Sequence, residues 1–293
     1  MSTSEETLRR AAEAGDSHFI QAGGLRFHYL TWGDPGNPPL LLLHGGGQTA
    51  HTWQRVANRL RDRYHVIAPD ARGHGDSEWS PDGVYDPFGM HEDVAALVGA
   101  LGLRDFVLGG MSMGGFAALG YAAEHGANLR GLMVVDISPA LEEAGTARIG
   151  AFLRAKQEFD SLDEVVAHAH AYNPLRSPER LRETLPANLR RLPNGKLAWK
   201  WDPAFIGRDG SRAPGTRPRL DGLWEKAARI PCPTLVVHGR ESDVVKRENG
   251  ERLARSIPNA RFVSIAGAGH SVQGDNPHSL SEALEQFLRE IGY

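Results

Sequence analysis

Val107-Leu108-Gly109-Gly110-Met111-Ser112-Met113-Gly114-Gly115-Phe116-Ala117-Ala118 is the stretch on which the reading of this chain turns. The apolar residues Phe106 to Leu108 predict a buried strand, and the strand stops at glycines. One serine follows, then more glycines, then Phe116 to Ala123, an Ala-rich run that predicts a helix. Gly110-x-Ser112-x-Gly114 has the spacing of a nucleophile elbow. A strand that turns straight into a helix forces the central serine into a strained backbone conformation and lifts its hydroxyl out of the sheet. The flanking positions must be small, because strand and helix pass close together there. The helix then points its free N–H groups at any negative charge developing next to the serine.

Outward from the elbow the chain alternates. His18 to Gln21 and Leu25 to Trp32 predict a hairpin turned at Gly23-Gly24. Leu40 to Leu43 predicts a fully buried strand that runs into His44-Gly45-Gly46-Gly47-Gln48. An amphipathic helix over roughly residues 52–62 follows, with Trp53, Val56, Ala57 and Leu60 on one face. Tyr64 to Ala68 is the next strand, and Phe88 to Leu101 a helix before the elbow strand. Gly131 to Ile137 is the strand after the elbow helix. Residues 138–230 interrupt the alternation and predict helices and loops without a buried strand. Pro233 to Val237 and Arg261 to Ile265 resume the sheet, and a terminal helix spans about Pro277 to Glu290. The expected fold is therefore α/β, a mostly parallel sheet with an antiparallel start. Its core comes from residues 1–137 and 231–293, and residues 138–230 form an inserted helical cap.

Composition narrows the class of function. The 293 residues are long enough for a sizeable core, and a net charge of −3 gives no general attraction to nucleic acid or an anionic membrane. The polar, acidic start Met1-Ser-Thr-Ser-Glu-Glu lacks the apolar run of a secretion signal. The single cysteine, Cys232, excludes an intrachain disulfide, and a cytoplasmic location is expected. Residues 138–228 carry 15 Lys/Arg against 12 Asp/Glu and half of the six tryptophans. Within them, the Gly/Pro-rich stretch Phe205 to Gly222 predicts a mobile loop. The inserted segment is expected to form an apolar, weakly cationic lid over Ser112.

These motifs together resemble the α/β-hydrolase superfamily, over nearly the whole chain beyond residue 17. The resemblance rests on His44-Gly45-Gly46-Gly47, Asp70-x-Arg72-Gly73-His74-Gly75-Asp76-Ser77 and the elbow. It rests further on His238-Gly239-x-x-x-Asp243 and Gly267-x-Gly269-His270. The order Ser…Asp…His also fits. The resemblance is to the capped bacterial branch of esterases, lactonases, carbon–carbon-bond hydrolases and cofactor-free haloperoxidases. It implies an eight-stranded, mostly parallel sheet flanked by helices.

It also implies roles. Ser112 is the nucleophile, His270 the general base and acid, and Asp243 the group that fixes the histidine tautomer. Asp136, at the end of the sixth strand where some relatives carry the acid, is the rival to Asp243. Met113 N–H and Gly46 N–H are the oxyanion donors, with Gly45 or Gly47 as alternatives to Gly46. Trp53, Trp199 and Trp201 are assigned to the substrate pocket, and arginines of the insert are candidates for steering a carboxylate-bearing substrate. His44 and His238 are read as structural. Capped epoxide hydrolases and haloalkane dehalogenases are excluded, because they carry aspartate where this chain has Ser112.

The expected activity is hydrolysis of a small or medium ester, thioester or lactone through an acyl-enzyme. No metal or organic cofactor is expected, and the only partner foreseen is a small ester-like substrate. Carbon–carbon-bond hydrolysis and perhydrolase activity are alternatives on the same triad. A ligand receptor with a vestigial triad is the alternative from another class.

Overall fold

Leu40, Leu41, Leu42 and Leu43 are all buried, yet they belong to two different cores. Leu41 and Leu43 join one apolar cluster, and Leu40 and Leu42 the other. Successive side chains of a strand point to opposite faces, so a strand apolar at every position must be covered on both sides. The computed structural model describes residues 14–86, 90–206, 220 and 222–293. Most of the predicted loop Phe205 to Gly222, and most of the N-terminal lead-in, lie outside the described residues.

The main sheet has eight strands: β1 (Asp16–Ala22), β2 (Leu25–Trp32), β3 (Pro39–Leu43), β4 (His65–Pro69), β5 (Phe106–Met111), β6 (Leu129–Val135), β10 (Thr234–Gly239) and β11 (Ala260–Ile265). Their order is β1-β2-β4-β3-β5-β6-β10-β11. β1 pairs antiparallel with β2, and β2 with β4. All later pairs are parallel. The hairpin turns at Gly23 and Gly24, whose φ values of 56° and 81° only glycine adopts without strain.

Helices cover the two faces. α1 (Gln54–Leu60) and α10 (Pro277–Glu290) pack Val56, Leu60, Leu284 and Phe287 onto the Leu40/Leu42 side. α2 (Met90–Ala100), α3 (Met113–His125), α7 (Leu223–Ala228) and α8 (Arg247–Ser256) cover the Leu41/Leu43 side. Trp53 is fully buried in the first of these cores. Its predicted place in the substrate pocket is therefore corrected: its ring faces the sheet.

The chain leaves the sheet after β6 and returns at β10. Between them lie α4 (Glu143–Arg154), β7 (Glu158–Phe159), α5 (Leu162–Tyr172), α6 (Pro178–Thr184), β8 (Leu189–Arg191), β9 (Leu197–Trp199) and then α7. The three short strands form a separate antiparallel sheet in the order β7-β9-β8. The sequence reading expected no buried strand here. Strands of two or three residues are too short to display an alternating pattern. This segment has its own apolar cluster, with Phe159, Val165, Leu181, Trp199 and Trp201 at its centre. Ser161 and Ser177 cap α5 and α6 by accepting the N–H groups of Glu164 and Arg180.

Cys232 is buried just before β10, and burial pushes its thiol up to about 11. Among the described residues no helix is long and apolar enough to cross a membrane. Because Trp53 is core, Trp53→Ala is expected to lower the unfolding free energy by about 3–5 kcal/mol. KM of the folded protein should stay within a factor of two. Urea denaturation followed by CD, together with steady-state kinetics on the folded fraction, checks this.

Candidate active site

Ser112 sits between β5 and α3 with φ 51° and ψ −118°, in the left-handed half of backbone space. A non-glycine residue there is strained by roughly 1–3 kcal/mol and persists only where its surroundings impose it. The surroundings are the glycines. A Cβ on Gly110 would lie 2.2 Å from the Gly114 carbonyl oxygen. One on Gly114 would lie 2.5 Å from the His44 oxygen and 2.6 Å from that of Leu43. Side chains at these positions would separate the turn from both strands. The Gly114 N–H donates to the His44 carbonyl at 3.1 Å and ties the start of α3 to the end of β3.

The hydroxyl of Ser112 meets His270 Nε2 at 2.9 Å, and His270 Nδ1 meets Asp136 Oδ2 at 2.7 Å. The carboxyl group is supplied by Asp136, the residue after β6. Asp136 Oδ1 accepts the Gly239 N–H at 3.0 Å, and Oδ2 accepts the Ser242 hydroxyl at 2.6 Å. Its side chain is completely buried. The φ of Asp136 is 52°, a conformation Asp tolerates better than most residues.

The expectation for Asp243 is corrected by this geometry. Ser242 Oγ accepts the N–H groups of Val244 and Val245, which turns the chain sharply after β10. Ser242 then faces inward and its neighbour Asp243 outward. Asp243 is 41% exposed and forms a two-pronged pair with Arg148 of α4, at 2.7 and 2.8 Å. Ser242 went unnoticed in the sequence, where it is one serine beside a more conspicuous aspartate.

The loop after β3 carries the second set of groups. His44 and His74 hold it as neutral struts. His44 Nδ1–H donates to the Gly45 carbonyl, and its Nε2 accepts the Ala71 N–H at 2.9 Å. His74 Nδ1–H donates to the Arg72 carbonyl, and its Nε2 accepts the Gly47 N–H at 3.1 Å. Both rings are buried. Burial lowers the pKa of each, for His74 to about 3. With Gly47 N–H bound to His74 and Gly45 N–H bound to Gln48 Oε1, Gly46 is left. The N–H groups of Gly46 and Met113 have no acceptor among the described residues.

Ser112, His270, Gly46 and Met113 line one cavity of about 500 Å³. Its walls are mainly apolar: Phe116, Ile149, Phe152, Leu185, Trp199 and Phe205 are representative. Trp199 lines the cavity. Trp201 does not: it stacks behind Trp199, with ring centroids 4.8 Å apart and planes at 11°. Arg176 is the one Lys or Arg among the described lining residues, and Asp275 already pairs with it at 2.7 Å. The expected carboxylate-steering arginine therefore finds no unpaired candidate among these.

The two struts carry a pH consequence. A histidine whose folded pKa is depressed takes up a proton on unfolding. Stability is therefore full above the unfolded value near 6.5 and falls as pH drops toward the folded value. Unfolding at pH 5 is expected to take up about one proton fewer in His74→Gln than in the parent protein. The slope of unfolding free energy against pH between 4.5 and 6, from urea titrations, measures that difference.

The geometry can be set beside known proteins. A family model described as the alpha/beta hydrolase fold matches residues 38–277. The esterase Rv0045c of Mycobacterium tuberculosis is 32% identical over 92% of this chain and 88% of its own. Its crystal structure superposes with a TM-score of 0.74 over 97% of this chain and 96% of that one. A 3-hydroxybutyrate-oligomer hydrolase of Cupriavidus necator is 29% identical over 91% of this chain and 94% of its own. The crystal structure of E-2-(acetamidomethylene)succinate hydrolase superposes with a TM-score of 0.83 over 94% of this chain and 99% of that one. At 24% identity it speaks for the fold alone. The matched span includes the elbow, both strut histidines and His270, so the chain belongs to the α/β-hydrolase family and is a hydrolase.

Proposed function

We propose that the chain is a carboxylesterase that cleaves neutral esters of small or medium acyl groups through an acyl-enzyme, with Ser112, His270 and Asp136 as its triad. One observation carries the reading: the unbroken line Ser112 Oγ–His270 Nε2, 2.9 Å, and His270 Nδ1–Asp136 Oδ2, 2.7 Å, opening onto an apolar cavity.

Each role follows from chemistry. Ser112 is a weak nucleophile until a neighbouring base takes its proton, and His270 Nε2 is in reach to do so. The Ser112 oxygen adds to the ester carbonyl, and the oxygen of that carbonyl becomes an anion. Met113 N–H and Gly46 N–H, both without an internal acceptor among the described residues, are the donors it meets. One such donor is typically worth about 2.7–4 kcal/mol in the transition state. His270 then passes its proton to the leaving alcohol. Water, deprotonated by the same ring, releases the acid. Asp136 keeps the Nδ1 proton in place and balances the charge of the imidazolium. Ser242, donating to the same carboxylate oxygen, keeps Asp136 oriented.

The cavity supports the neutral-ester class over substrates that carry a carboxylate. Its described walls are mainly apolar, the charged residues among them include the acidic Glu143, and Arg176 is already paired. A buried anion without a cation is costly. The names of the relatives, esterase and 3-hydroxybutyrate-oligomer hydrolase, support ester cleavage as the reaction; the preference for a neutral substrate comes from the cavity, since a hydroxybutyrate oligomer itself ends in a carboxylate. A cavity of this size suits an acyl chain of several carbons, and Trp199 forms part of its wall.

A fluorophosphonate probe should label Ser112 alone, located by peptide mass mapping, and Ser112→Ala should abolish both labelling and p-nitrophenyl ester turnover. Asp136→Asn should lower kcat by about 10³- to 10⁴-fold, since it disfavours the required tautomer. Asp243→Asn breaks only an exposed pair and should change kcat by no more than about threefold. The reverse ranking in p-nitrophenyl butyrate assays would return the acid role to Asp243.

A further inference from the structure

We propose that Arg176, contributed by the inserted segment, is a positioning residue for His270 and acts through Asp275. The inference rests on the triad reading above and adds to it a part of the site that lies outside the main sheet.

His270 lies on a loop between β11 and α9 (Val272–Asp275), and the residues on either side of it are held individually. Gly269 N–H donates to Asp275 Oδ2 at 3.0 Å. The Ser271 carbonyl accepts Arg176 Nη2–H at 3.3 Å, and the Ser271 hydroxyl accepts Gln48 Nε2–H at 3.3 Å. Asp275 is the hub. Its side chain is completely buried, and Oδ1 accepts Arg176 Nε–H at 2.7 Å and Asn173 Nδ2–H at 3.0 Å. Arg180 Nη1–H adds a bond to the Asp275 carbonyl at 3.1 Å. Asn173 and Arg176 come from the connection between α5 and α6, and Arg180 from the first turn of α6.

Charge explains why an arginine is needed. A buried carboxylate is tolerated only with a cation and a full set of donors. Arg176 is the one Lys or Arg side chain paired with the Asp275 carboxylate among the described residues. Remove it, and Asp275 must either turn toward water or take up a proton. The first change releases the Gly269 N–H and the second weakens its bond, and both let His270 drift from Ser112. Space tells the same story. A Cβ on Gly274 would lie 2.0 Å from Arg176 Nη2, so glycine at that position makes the room the guanidinium occupies. The arginine is itself held in place, since its carbonyl accepts His170 Nδ1–H at 2.8 Å.

A misplacement of the base by about 1 Å is enough to cost on the order of 100-fold in rate. The test is steady-state hydrolysis of p-nitrophenyl acetate and p-nitrophenyl hexanoate by full-length Arg176→Met, Arg176→Lys and Gly274→Ala. Each rate is expressed per Ser112 site titrated to completion with a fluorophosphonate. For Arg176→Met, kcat is expected to fall about 10- to 100-fold, by the same factor for both esters, with KM within threefold. Added guanidinium ion should restore part of it, and Arg176→Lys should retain more than Arg176→Met. Gly274→Ala displaces the guanidinium without removing its charge and should show the same loss in kcat. It therefore also decides the matter if Arg176→Met does not fold. A rise in KM, or a loss confined to one ester, would make Arg176 a substrate contact and overturn the proposal. So would an unchanged kcat per titrated site, which leaves the pair a purely structural role. Ser112→Ala is run alongside: turnover surviving in that variant would defeat the triad reading itself, whatever Arg176 does.

Discussion

Two backbones meet at the elbow more closely than any side chain allows. Gly110 lies against the Gly114 carbonyl, and Gly114 against the carbonyls of Leu43 and His44. This contact sets the positive φ of Ser112, aims the Met113 N–H, and fixes where the chain emerges from β3. The strain in the serine is small beside what holds it. β3 and β5 lie side by side in the middle of the sheet, with apolar side chains buried on both faces. Burial of that kind is worth about 1.5–3 kcal/mol for each large side chain, so a cost of roughly 1–3 kcal/mol at one residue is absorbed.

Around the elbow, three buried aspartates do comparable work. Asp136 collects Gly239 N–H, the Ser242 hydroxyl and His270. Asp275 collects Gly269 N–H, Asn173 and Arg176. Asp70 accepts Ala50 N–H at 2.7 Å, Asp76 N–H at 2.9 Å and the His28 ring at 2.7 Å. Burial works against ionisation of Asp70. The bond from His28, the nearby His44 and the two backbone donors outweigh it and hold its pKa below the usual carboxylate value. Each aspartate organises loop backbone that borders the cavity or leads to it, and only Asp136 meets His270 directly.

The elbow, the late histidine and the glycine-rich loop were legible because each is local: a few consecutive residues whose types fix a backbone shape. The central strands, β3 and β5 above all, were legible because both their faces are buried and their runs hold no charged residue. The acid was not. Asp136 and Asp243 follow adjacent parallel strands, and the choice depends on a turn at Ser242 that sends two consecutive side chains opposite ways. Trp53 shows the same limit from another side. An apolar residue on an amphipathic helix belongs to a core, and the sequence does not say whether that core borders a cavity. Trp199 and Trp201 share one face of an extended segment, as their spacing requires, but the stacking leaves only the first facing the cavity. The three strands of the inserted segment are held by tertiary pairing, too short to leave a period in the sequence.

The join between the inserted segment and the sheet is partly main-chain. Gly75 N–H donates to the Lys200 carbonyl at 2.7 Å, and Asp202 N–H to that of Gly73 at 2.8 Å. His74 and Trp201 are thereby paired as in a two-stranded ribbon. His74 also holds Gly47. The unit that would have to be exchanged to graft this insert onto a related scaffold is consequently discontinuous in sequence. Residues 138–230 alone would arrive without their docking strand at 73–75, and without the aspartate at 275 that neutralises Arg176. A chimera cut at the two ends of the insertion would inherit its walls but mismatch its seams, whereas one that carries segments 44–49, 72–77 and 269–275 along with it keeps those seams and leaves Arg55, Tyr85, Asp243, Val244 and Lys246, which also meet the insert, to be matched.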